Sequence, residues 1–387
     1  MDDLAGHWDL DPACTFLNHG SFGATPRAVL AAQSRYRAEM ESQPVRFFTR
    51  EYEPRLDVAR GALARFVGAT PEGIAMVTNA TEGVNAVLAS VALDAGDEVL
   101  TIDHAYNACA NALRYHAERR GARVVVARVP FPIASAGAVL DALDACATAR
   151  TRLLLIDHVT SPTALVLPVE EIVARFESRG VAVLVDGAHA PGMVPLALDA
   201  LGASYYTGNL HKWVCAPKGA AFLHAREDRR AALRPLAISH GANSPRGDRS
   251  RFHLEFDWTG THDPSARLAV PDALAFMGSL LPGGWDALRE ANRALALYAR
   301  DALCEALGIA APAPDAMIGA MAAVPLAVPT ARAEALHDRL LDAHGVEVPV
   351  IPWRSPEGTF LRVSAQRHNR PADYARLIEA LRAEGVL

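Results

Sequence analysis

From Glu72 to Leu223 short apolar runs alternate with segments of helical length, and few folds accommodate such a rhythm. Candidate strands are Ile74–Thr78, Glu98–Asp103, Arg123–Val129, Arg152–Asp157, Val181–Asp186, Ala203–Thr207 and Gly219–His224. They are rich in Val, Leu and Ile without polar alternation, as expected of strands covered on both faces. Candidate helices Thr81–Leu93, Ala108–Arg120, Val139–Thr148 and Val169–Arg179 lie between them. The pattern predicts an α/β layer, a mostly parallel seven-stranded sheet with helices on both faces. Ligands in such sheets bind at the carboxyl ends of the strands. Asp103, Asp157, Asp186 and Thr207 fall at or near those ends.

A chain of 387 residues exceeds what one core usually holds, so a second unit is expected. Residues 1–24 read as an N-terminal arm, 25–264 as the large domain and 265–387 as a smaller C-terminal α+β domain. In the last of these, Ser265–Met277, Trp285–Leu307 and Ala333–Ala343 are helical patterns and Phe360–Ser364 a strand. The stretch His240–Thr261, rich in Gly, Pro, Ser and Arg, reads as an ordered loop carrying Phe252, Phe256 and Trp258. The net charge of -6 and the lack of a basic stretch call for no nucleic acid and no membrane surface. The five cysteines are odd in number and lack a CxxC spacing. They argue against a disulfide framework or a metal site and for the reducing cytoplasm. The acidic start Met1-Asp2-Asp3 is unlike a signal peptide, and no apolar run approaches the length of a membrane span.

One strand, Leu184-Val185-Asp186, ends in an acid; the next apolar stretch runs into Thr207-Gly208-Asn209-Leu210-His211-Lys212-Trp213. Alone, Asp186 is a strand-end cap and Lys212 a surface lysine. Together they are the two groups that pyridoxal 5′-phosphate chemistry needs. A lysine amine forms a Schiff base with the cofactor aldehyde, and a carboxylate keeps the pyridine nitrogen protonated so that the ring accepts electrons. Asn79-Ala80-Thr81-Glu82-Gly83 follows a strand and opens a helix, where free N–H groups and the positive dipole end suit a phosphate. Its plain alternative is a capping arrangement, compatible with the same role.

These pieces, with Phe16-Leu17-Asn18-His19-Gly20-Ser21-Phe22-Gly23, Trp258-Thr259-Gly260-Thr261-His262-Asp263-Pro264 and Leu361-Arg362-Val363-Ser364, occur in family order across nearly the whole chain. In them the chain resembles the class V aminotransferases, fold type I pyridoxal phosphate enzymes, and within these the isopenicillin N epimerase-like branch. The resemblance implies that Ala80, Thr81, Asn209 and His211 hold the phosphate, joined by Thr261 from the neighbouring subunit of an obligate homodimer. It implies that Asp186 meets the pyridine nitrogen, that His189 reaches the phenolic oxygen, and that Tyr106 (or His104) stacks on the ring. Ser161 is expected among the cofactor-binding residues, although the asparagine that relatives often carry near it to reach the same oxygen is absent here. Arg362 is expected to bind a substrate α-carboxylate by its planar fork, unless it is only the outer face of an edge strand. Asn18 and His19 lie on an arm that covers the substrate mouth in the family.

The scaffold hosts several reactions. Each begins when an amino acid displaces Lys212 from the cofactor and the freed amine removes the α-proton. Epimerisation needs a second proton donor, Tyr106 or His19. Transamination returns the proton through Lys212, and a β-lyase needs only a leaving group on the substrate. A cysteine desulfurase needs a mobile nucleophilic cysteine, and none lies between Gly308 and Leu387. A cofactor-binding regulator would need an added module for which the scaffold leaves no room.

Overall fold

The computed structural model describes residues 4–354 and 357–387. Seven strands form the central sheet: β1 (Ile74–Val77), β2 (Glu98–Ile102), β3 (Arg123–Ala127), β4 (Thr151–Asp157), β5 (Ala182–Asp186), β6 (Tyr205–Asn209) and β7 (Ala221–Ala225). Their order is β1-β7-β6-β5-β4-β2-β3. The five strands from β6 to β3 run parallel, while β7 is antiparallel to both of its neighbours. The sheet is therefore the seven-stranded, mostly parallel one expected from the apolar runs.

Successive strand residues point to opposite faces, and the core divides accordingly. Leu154, Ile156, Val183 and Val185 join one buried cluster, and Leu153, Leu155 and Leu184 another. Each such side chain contributes about 1.5–3 kcal/mol by leaving water. The second cluster holds the apolar faces of α3 (Ala80–Ser90) and α4 (Asn107–Glu118), through Val84, Val87, Cys109 and Leu113. Asp157 and Asp186 follow Leu155 and Leu184 by two residues and so face this side, at the carboxyl ends of adjacent strands.

On the other face lie α1 (Arg27–Ser42) and α2 (Tyr52–Val67), with α5 (Gly137–Cys146) and α6 (Val169–Glu177) packed into the same cluster. The stretch read as a loop contains a helix, α7 (Arg251–Asp257). The Ser250 side chain caps it by accepting the His253 N–H, and Phe252 and Phe256, four apart, bury one face. Two short, well-chosen contacts thus make a helix too brief to show a period. Beyond α8 (Val270–Ser279) and the 24-residue α9 (Gly284–Leu307), an antiparallel sheet of β8 (Met321–Leu326), β9 (Val350–Arg354) and β10 (Glu357–Ser364) has the order β9-β10-β8. It packs with α10 (Ala333–Asp342) and α11 (Pro371–Ala383) around a third cluster, which Leu17 of the N-terminal arm also enters. No helix of the described residues is long and apolar enough to cross a membrane, and all five cysteines are free thiols.

Candidate active site

A cavity of about 360 Å³ opens over the carboxyl ends of β4, β5 and β6. Lys212 reaches it from the turn after β6. Its amine lies 3.0 Å from His189 Nε2, and burial, reinforced by Arg362, pushes its pKa down to about 7. A lysine so placed has a substantial neutral fraction near pH 7, and the neutral amine is a nucleophile toward an aldehyde. Burial and the Lys212 charge hold His189 well below the usual histidine range, so the ring is neutral. Its Nδ1 is buried without a hydrogen-bond partner among the described residues.

Asp186 ends β5 and lines the cavity floor. Its Oδ2 accepts the Cys109 thiol at 3.0 Å and its Oδ1 the Ala188 N–H at 3.0 Å. Cys109 was not singled out from sequence, although it lies three residues past Tyr106 and so on the same side of the helix start. Burial and then Asp186 push its thiol far up, so it stays a donor. Tyr106 caps α4, is 44% exposed and lines the cavity. His104 is instead fully buried behind it, between Thr163 Oγ1 at 2.8 Å and the Val129 carbonyl at 2.9 Å. Of the two ring-stacking candidates, only Tyr106 meets the cavity.

At the opposite end, the N-terminus of α3 is clamped from two sides. Asn79 accepts the Glu82 N–H at 2.8 Å, and Asn209 accepts the Ala80 N–H at 2.8 Å. Capping and anion-binding geometry coexist, since Ala80, Thr81, Asn209 and His211 all line the cavity. His211 is held down to about 4 by burial and by Lys212 and Lys218, so it offers a neutral ring. The helix approaches the sheet closely at Gly83, where a Cβ would stand 2.3 Å from Thr207 Oγ1. Lys218, also at the wall, donates to the Gly23 carbonyl at 2.8 Å.

Arg362 belongs to β10, the middle strand of its sheet, and is only 3% exposed. The edge-strand alternative therefore fails. The guanidinium donates to the Ser161 carbonyl at 2.7 Å and Oγ at 3.1 Å, to Ser21 Oγ at 3.0 Å and to Asn18 Oδ1 at 3.3 Å. Ser21 and Ser161 line the cavity, so the charge sits just behind its wall. No carboxylate pairs with it among the described residues, its Nε has no partner, and burial lowers its pKa to about 10. Asn18 does not line the cavity; it braces Arg362 and is itself held by Glu347 at 2.7 Å.

His19 corrects the sequence expectation. It lies outside the cavity lining, fully buried beneath the lysine turn. Its Nε2 is 3.1 Å from the Lys212 carbonyl and its Nδ1 3.2 Å from His368 Nε2. It grips the lysine backbone, and of His19 and Tyr106 only Tyr106 lines the cavity. Thr261 is exposed and does not line this chain's cavity.

The residues present fit pyridoxal phosphate: a buried amine of lowered pKa, a carboxylate fed by donors, a helix N-terminus and a cation awaiting an anion. The class V aminotransferase family model matches residues 16–349. The chain is 39% identical to isopenicillin N epimerase of Amycolatopsis lactamdurans, over 96% of each chain. It is 31% identical to a probable L-cysteine desulfhydrase of Arabidopsis thaliana, over 96% of this chain and 83% of that protein. The solved Escherichia coli cysteine desulfurase CsdA superposes with a TM-score of 0.79 at 19% identity, over 99% of this chain and 98% of that one. The chain belongs to the class V aminotransferase family and is a pyridoxal phosphate-dependent enzyme of its fold.

Proposed function

We propose that the enzyme binds an amino acid by its α-carboxylate and moves the α-proton with Lys212, as an isopenicillin N epimerase-like epimerase or aminotransferase. The observation that carries this is Arg362, a buried guanidinium beside the cavity with no carboxylate of its own. Leaving such a charge uncompensated is costly, and a substrate carboxylate would satisfy it. The epimerase relative at 39% identity supports the reading. The cofactor supplies an aldehyde for the substrate amine and a ring that accepts the electron pair released at the α-carbon.

The chain supplies the rest. Ala80, Thr81, Asn209 and His211, all in the cavity wall, would hold the phosphate end, and Asp186 would pair with the ring nitrogen. His189, neutral, lies 3.0 Å from the Lys212 amine and would meet a ring oxygen. Lys212, freed by the incoming amine, takes the α-proton at Nζ. Tyr106, which lines the cavity, would lie against the ring and could return a proton from the other side. A β-lyase reading is favoured by the desulfhydrase relative, whose name implies a leaving group at the β-carbon. A desulfurase is disfavoured, because no residue lining the cavity is a cysteine.

The test is a panel of L-amino acids, including L-cysteine, with the cofactor absorbance followed and products resolved chirally. Inversion at the α-carbon supports epimerisation, an oxo acid transamination, and sulfide with pyruvate the lyase. If decarboxylated amines perturb the absorbance as strongly as the parent amino acids, the carboxylate reading is wrong.

A further inference from the structure

A second acid shares the floor with Asp186. β4 and β5 are parallel neighbours whose register sets Asp157 directly opposite Asp186. Asp157 is 4% exposed and Asp186 2%, and both line the cavity. No ion pair reaches either among the described residues. Two unpaired carboxylates side by side in a buried site repel each other and forgo water, so one proton is retained between them. The donors decide where. Asp186 accepts a side-chain donor, the Cys109 thiol, as well as the Ala188 N–H, whereas Asp157 accepts only backbone N–H groups, those of Tyr106 and of its own residue.

The groups facing Asp157 are Asp186 on the neighbouring strand, the Tyr106 N–H and Cys109 on α4, its own backbone N–H, and Lys212 on its turn. Burial first, and then Asp186, push its carboxyl well above the usual range, against the smaller pull of the Tyr106 N–H, its own backbone N–H and Lys212.

We propose that Asp157 and Asp186 act as a one-proton pair, in which Asp157 remains a neutral carboxylic acid and offers its O–H to the bound cofactor. This rests on the cofactor reading above. The acceptor that suits it is an anionic ring oxygen, because an acid donates most strongly to an oxyanion. The pair also limits the charge facing the pyridine nitrogen to one, which a doubly ionised floor would exceed. No bond is made or broken; the proton stays on Asp157 and only a hydrogen bond forms. Asp157 is thus a cofactor-positioning acid on the strand next to the pyridine partner.

The experiment uses the holoenzyme and Asp157→Asn, with Asp157→Ser as a second variant should the amide fail to pack. Infrared difference spectra at pH 8, wild type minus variant, should show the carbonyl band of a protonated carboxylic acid that shifts in deuterated water. The pH midpoint of the cofactor's visible absorbance should be the same in wild type and Asp157→Asn, since an amide replaces an already neutral group. Asp157→Ser, which shortens the donor out of reach, should bind cofactor about tenfold more weakly. Absence of the band, or a midpoint that falls in Asp157→Asn because a negative charge was removed, overturns the proposal. Borohydride labelling of Lys212 separates the readings. A labelled wild type lacking the band refutes only the pair, and an unlabelled one refutes the cofactor site as well.

Discussion

Lys212 and Arg362 each join two properties that ordinarily exclude one another, burial and charge. For Lys212 the outcome is an amine pushed down to about 7. In cofactor-free protein, capture of pyridoxal phosphate should therefore quicken as pH rises through about 7, because only the neutral amine attacks. An unperturbed lysine would place that rise near about 10.4. Reconstitution rates followed by absorbance decide between the two. For Arg362 the outcome is a fork held in place by Ser21, Asn18 and Ser161. Arg362→Lys keeps the charge but loses the fork, and each lost hydrogen bond to a charged group is worth about 1.5–3 kcal/mol. KM should rise at least about tenfold; unchanged kinetics would remove Arg362 from the substrate site. Lys212 and Arg362 could be singled out from the sequence because type and local pattern are written along the chain, and the structure buries both at or beside one cavity. Asp157 was legible as a strand end, but its place beside Asp186 depends on sheet order. Cys109 and Ser21 act through neighbours far away in sequence, and His19 turned out to face the lysine backbone for the same reason.

At the scale of elements, the apolar runs foretold the seven strands, because strands buried on both faces have no polar alternate to confuse them. The strand that carries Asn209 extends to that residue, past the apolar stretch, since Gly208 and Asn209 pair with Phe222 and Ala221. The helix α7 escaped notice, as seven residues span too few turns for periodicity. The seat of α3 is the most exacting contact. Gly83→Ala would drive a methyl against Thr207 and should destabilise the protein by about 1–3 kcal/mol. Because Ala80 and Thr81 open the same helix, cofactor affinity should fall with it. Wild-type melting temperature and affinity in this variant would show that the helix has room to give.

The whole molecule brings together three stretches of chain: the arm with Asn18 and Ser21, the sheet with Asp186, and the C-terminal β10 with Arg362. A fourth contribution is proposed to come from a second subunit. Thr261 is exposed and outside its own cavity, and the proposal that it serves a partner's phosphate predicts complementation between two defective chains. In mixed dimers of Lys212→Ala with Thr261→Ala, one site would combine an intact Lys212 with an intact Thr261. Activity and cofactor affinity should exceed those of the Thr261→Ala homodimer; if mixing restores nothing, Thr261 serves its own chain or none. The family was legible across the molecule because its motifs keep their order, whereas the reaction was not, since one scaffold carries several outcomes of the same proton removal. Everything above depends on the covalent partner of the cofactor. Purified enzyme reduced with borohydride, digested and mapped by mass spectrometry should carry a single pyridoxyl group on Lys212; a label on any other lysine, or none, would contradict the account.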